Sequence, residues 1–142
     1  MASDSFDEIV ETFEFLDNWE DRYRHVIDMG KAMAPLAEAE RVPATKVEGC
    51  ASQVWLVPEV AGQGPDAVIR FRGESDAMIV QGLIAILVAL YSEQSATDIL
   101  ATDAIAELAR LDLKDHLSAQ RSNGLKAMIE RVRILAERTI TS

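Results

Sequence analysis

The most reactive side chain in this chain is its single cysteine, Cys50, in the run Lys46-Val47-Glu48-Gly49-Cys50-Ala51-Ser52-Gln53-Val54-Trp55-Leu56. A thiolate attacks sulfur and expels another thiolate, and between two molecules the acceptor needs only one cysteine for this. A second thiol nearby would resolve the product to a disulfide, so a solitary cysteine suits a carrier. Most lone cysteines are small buried hydrophobes. Gly49 argues for more here, because it opens backbone conformations closed to other residues and lets the turn move. Thiolates also oxidise readily. The thiol is therefore expected to rest against apolar side chains and to swing out when a partner docks.

Few other side chains offer chemistry. Ser52 and Gln53 can hydrogen-bond the turn that carries Cys50. Asp76 follows Ser75, a candidate helix cap, so the helix dipole explains it as well as a role in controlling the Cys50 loop does. Arg121 stands three residues after Ser118, another candidate cap, where a positive charge is disfavoured. An ion pair or a thiolate is expected to hold it there. Gly124 costs a helix about 1 kcal/mol relative to Ala, and close packing against the sheet or the loop would compensate. His116 could assist the thiol, although a surface histidine closing Leu113–Leu117 is the plainer reading. His25 falls within an amphipathic helix. Two histidines and one cysteine, far apart in sequence, do not suggest a metal site.

Composition narrows the function classes. The 142 residues carry 14 Lys plus Arg against 24 Asp plus Glu, a formal charge of −10. Such an acidic chain is poorly suited to a nucleic-acid backbone. Hydrophobic content of 49% excludes disorder and fits one domain, residues 1–142. One cysteine excludes a disulfide framework. The start is acidic and carries no secretory pattern, and the longest apolar run, Ala77 to Tyr91, is too short to span a bilayer. These features predict a cytoplasmic protein with no membrane contact. Residues 1–21 hold eight acids and no Lys or Arg, while Arg121, Lys126, Arg131, Arg133 and Arg138 dominate the C-terminal segment. Two solvated helix faces of opposite sign account for this, and docking of a charged partner is the sharper reading.

The elements that must position Cys50 follow from periodicity. Phe6, Ile9, Val10, Phe13 and Leu16 form a helical stripe, with Ser5 as cap and Glu8 completing a capping box. Asn18 opens a second helix carrying Trp19, Tyr23, Val26 and Ile27, and Gly30 is a plausible stop. After Pro35 and Pro43 the pattern turns strand-like: Val47, then Val54–Val57, then Val68–Arg72, with Gly62, Gly64 and Pro65 between the last two. Ile69 and Phe71 should face the core and Arg70 and Arg72 water. Trp55 reads as a core anchor. A buried helix then runs from Asp76 to Tyr91, a shorter one covers 98–108, and the last starts near Ser118. This order predicts an α+β fold in which a small three-stranded antiparallel sheet packs against helices.

Four runs in this order and spacing, NWEDRYRHVIDMGK, VEGCASQVWL, GESDAMIVQGLIAIL and DHLSAQRSNGLKAMI, resemble the SufE family. Its members are sulfur acceptors that partner cysteine desulfurases in iron–sulfur cluster assembly. The resemblance covers residues 7 to 138. It implies an α+β fold shared with IscU-type scaffolds. It also implies that Cys50 takes persulfide sulfur from a SufS- or CsdA-like desulfurase and passes it to a SufBCD-like scaffold complex. Pyridoxal phosphate belongs to the desulfurase; this chain would bind no cofactor and would not turn over alone. Arg121 should lie near the cysteine loop. Ser52, Gln53, Asp76 and His116 would support that loop or meet the partner, and a homodimer stays open.

Two other classes compete. A stand-alone thiol enzyme would pair Cys50 with His116, but no hydrolase signature surrounds the cysteine. A cluster scaffold needs about four ligands, and the chain has one thiol.

Overall fold

The computed structural model describes residues 4–91, 93–113 and 116–141. Helix α1 (Asp4–Phe15) buries Phe6, Ile9, Val10 and Phe13, the expected stripe. It begins at Asp4, so Ser5 lies within the helix rather than capping it. Helix α2 (Trp19–Ala32) is capped by Asn18, whose side chain accepts from the Asp21 backbone N–H at 2.9 Å. Gly30 does not end this helix. It is buried against α3, where a Cβ on it would stand 2.6 Å from the Gly82 backbone nitrogen. Glycine therefore serves a close helix crossing, and α2 stops at Met33, which turns extended two residues before Pro35.

The sheet has three antiparallel strands in the order β1 (Val54–Ala61), β2 (Val68–Ser75), β3 (Gln94–Ser95). Its third strand is not the one expected. Val47 stays outside the strands: Lys46 makes a single bridge to Trp55, and the Val47 N–H donates to Val54 O at 2.8 Å before the chain bends at Gly49. Gln94 and Ser95 instead pair with Ile69 and Val68. Along β2 the alternation holds: Ile69 and Phe71 are buried, while Arg70 points out and Arg72 ion-pairs with Glu40 and Glu59. Trp55 is only half-buried, because Val54 and Leu56 on either side take the core face.

Helix α3 (Met78–Tyr91) is the central element, with Leu83, Ile84, Ile86, Leu87 and Leu90 nearly inaccessible. Each such side chain contributes about 2 kcal/mol of burial. It starts two residues later than expected, since Ser75 ends β2 and Asp76 is used elsewhere. The segment 98–108 is two helices, α4 (Ala96–Ala101) and α5 (Ala104–Ala109). The break arises because Thr102 turns extended, with its backbone N–H bonded to Ile99 O, and the Asp103 side chain caps α5 by accepting from the Ala106 N–H. Helix α6 (Ala119–Ile140) starts from Ser118 as expected and buries Leu125, Met128, Ile129, Val132 and Ala136, with Leu135 half-buried. The apolar side chains of α1–α6, β1 and β2 join one continuous core. Among the described residues no helix is long and apolar enough to cross a membrane.

Candidate functional site

Cys50 occupies an irregular loop between the Lys46 bridge and β1, as its glycine neighbour foretold. Gly49 adopts φ +92°, a left-handed conformation that side-chain-bearing residues rarely take. The loop is fastened on three sides. At its entrance, Arg131 of α6 donates to the carbonyls of Ala44 and Lys46. At its exit, the Gln53 N–H donates to the Asp76 carboxylate at 3.0 Å while the Asp76 N–H donates to Gln53 O at 3.3 Å. At its tip, the Cys50 thiol donates to Gly124 O at 3.5 Å.

Beneath the loop lies a cavity of about 320 Å³. Val80, Leu83 and Met128 form its apolar side, and Ser52, Ser118, Gln120 and Arg121 its polar side. Gly124 faces the cysteine loop, but a Cβ there would sit 3.5 Å from Sγ, an ordinary contact distance, so the packing expected to require glycine at this turn leaves room for a methyl group. The thiol is half-buried and free. Burial and, next, the nearby Glu48 carboxylate push its pKa above the usual 9.0, so at neutral pH it is held protonated.

The remaining residues singled out from sequence separate into two groups. Ser52 and Arg121 line the cavity, and Gln53 and Asp76 clasp the loop. Asp76 stands before α3 and not in its first turn, so the loop, not the dipole, uses its carboxylate. Among the described residues Arg121 is held by neither carboxylate nor thiolate: its Nη1 donates to the Tyr23 hydroxyl at 3.3 Å. His116 lies elsewhere. It is exposed, its ring meets Trp19 edge-on at 4.0 Å between centroids, and its backbone N–H donates to Leu113 O. It does not line the cavity, so the Cys50–His116 pairing has no geometric support. His25 packs against Phe13.

Sequence reasoning placed Tyr23 in an apolar stripe and Arg131 on a solvated face, and missed their tasks here. A signal was present. Arg121, Gly124, Met128 and Arg131 recur at helical spacing along one face of α6, beside the core stripe of Leu125, Ile129 and Val132. Among the described residues, no three His, Cys, Asp or Glu side chains converge to hold a metal ion.

The SufE family model, described as an Fe–S metabolism associated domain, matches residues 7–136. The chain belongs to the SufE family. A SufE-like protein of Rhizobium etli is 51% identical over 129 residues, covering 91% of this chain and 87% of that one. Another from Rhizobium meliloti is 48% identical over 133 residues, covering 94% and 95%. The solution structure of a hypothetical protein from Thermus thermophilus superposes over the full length of both chains with a TM-score of 0.77 at 18% identity, which bears on the fold alone. SufE membership ties this chain to iron–sulfur metabolism.

Proposed function

We propose that this SufE-family chain is the sulfur acceptor and activator of a pyridoxal-phosphate-dependent cysteine desulfurase, with Cys50 as the covalent carrier. The observation that carries this reading is the half-buried thiol on a glycine-hinged loop, set over a cavity large enough to receive one more sulfur atom. In the transfer, the Cys50 thiolate attacks the outer sulfur of the desulfurase persulfide. The donor S–S bond breaks, the donor sulfur leaves as a thiolate, and Cys50–S–SH forms, with no change in the net count of electrons. A second exchange of the same kind delivers that sulfur to a cluster scaffold.

The protonated resting thiol is a poor nucleophile, which protects it from oxidants between encounters. Docking would draw the loop off Gly124, uncover the sulfur and relieve its desolvation. Asp76 and Gln53 act on that motion, Ser52 and Arg121 on the cavity. The chain itself needs no cofactor for these steps, and a reducing cytoplasm keeps such a thiol free. The test is mass spectrometry after incubation with a desulfurase, pyridoxal phosphate and cysteine. A gain of about 32 Da, one sulfur atom, is expected on the wild type and absent from Cys50→Ser. An equal gain on both would end the proposal.

A further inference from the structure

Arg121 is held differently from most arginines of the chain. Arg41, Arg70, Arg72 and Arg110 pair with carboxylates, and Arg131 and Arg133 donate to backbone carbonyls. Among the described residues Arg121 has one side-chain partner, the neutral hydroxyl of Tyr23, and no carboxylate. The residue borders a cavity that Cys50 also lines. It does so from the first turn of the 22-residue helix α6, where the backbone already presents partial positive charge. Both effects raise the potential at this end of α6, and neither serves the resting thiol, which donates a hydrogen bond to Gly124 O and stays protonated.

The position suits the next atom out. A sulfur bonded to Sγ lies about 2 Å farther on. Gly124 and Arg121 are three residues apart on one face of α6, and helical side chains lean toward the N-terminus, so Arg121 covers the wall beyond Gly124. We propose that Tyr23 is a positioning residue: by accepting the Arg121 Nη1 hydrogen bond, it holds the guanidinium as a fixed counter-charge for the outer, anionic sulfur of a Cys50 persulfide. This rests on the reading that Cys50 carries sulfur, and it adds α2 to the elements that build the site.

The test loads Cys50 with inorganic polysulfide, independently of any desulfurase. The Cys50 thiolate attacks the terminal sulfur of the polysulfide, the adjacent S–S bond breaks, Cys50–S–SH forms, and the polysulfide shortened by one sulfur leaves as an anion. The pH dependence of alkylation of the loaded persulfide is then followed in wild type, Tyr23→Phe, Arg121→Gln and the double variant, with melting temperatures recorded alongside. Losing a charge-assisted hydrogen bond should move the titration midpoint of Tyr23→Phe upward by about half a unit or more. Arg121→Gln should move it at least as far, and the double variant no farther than Arg121→Gln alone. A Tyr23→Phe midpoint equal to the wild type, or a Tyr23 effect undiminished on top of Arg121→Gln, overturns the proposal even if melting temperatures fall. Failure of the desulfurase to load the wild type, with the polysulfide shifts as expected, removes the acceptor reading and leaves the Tyr23 assignment standing.

Discussion

The Cys50 thiol and the Gly124 carbonyl meet at 3.5 Å although 74 positions separate them in the chain. The contact ties the reactive loop to the first turns of α6, and substitutions at Gly124 read it out. A methyl fits, since its carbon would lie at ordinary contact distance from Sγ. Gly124→Ala should therefore stabilise the protein by up to about 1 kcal/mol and slow iodoacetamide labelling of Cys50. Gly124→Leu extends a larger side chain toward Cys50, whose Sγ, Cβ and Cα are the nearest atoms to a Cβ at this position, and by displacing the loop should speed labelling several-fold. Equal labelling rates in the three proteins would mean that this contact does not hold the loop.

Asp76 supplies the clasp at the other end of the loop. Asp76→Ala leaves the Gln53 N–H without its carboxylate. Both groups are exposed, so water replaces the lost bond and the stability cost should stay near 1 kcal/mol. The larger effect should be on loop opening, with labelling of Cys50 faster than in wild type. Hydrogen exchange at the Gln53 amide checks the mechanism, because its protection should fall with little change in α3.

The raised thiol pKa sets a pH signature. Labelling of Cys50 should reach half its limiting rate above pH 9.0. Glu48→Gln should lower that midpoint only part of the way, since burial is the larger cause. For stability the sign follows from the folded-state pKa lying above the unfolded one. The neutral thiol's contribution is complete below the unfolded pKa and is lost as pH rises through the folded value. The melting temperature of wild type should thus decline more steeply than that of Cys50→Ala above about pH 9. Parallel declines would refute the assignment.

Glu40 gives the opposite case. The Arg72 guanidinium beside it, helped by the Ala37 N–H, lowers its carboxyl pKa from 4.5 to about 2. Its contribution is present above the unfolded value and disappears as pH falls through the folded one. Glu40→Gln should therefore melt below wild type at neutral pH, and the gap should close between pH 4.5 and about 2. The group is at the surface, so high salt should narrow the gap as well.

Much of this molecule was legible along the chain. Asn18 and Ser118 cap α2 and α6 where they were expected, and Ile69 and Phe71 turn inward while Arg70 turns out. Cys50 sits in its glycine-bearing turn. These features rest on residues within a few positions of one another, and helix and strand periods make them visible. Where local reading misled, a distant contact had intervened. Gly30 resembles a helix stop until α3 crosses it at Gly82, and the dipole claims Asp76 until Gln53 arrives from the loop.

Residue identity and order alone thus pointed to the family and the class of fold and singled out the one thiol of the chain, because a lone cysteine beside glycine has few equivalents in a chain of this composition. Folding settled what surrounds that atom. Arg121 meets Tyr23 across 98 positions, and Arg131 meets Lys46 across 85. No short-range pattern names such partners. They become neighbours only when burial of the apolar faces of α2, α3 and α6 brings those helices together.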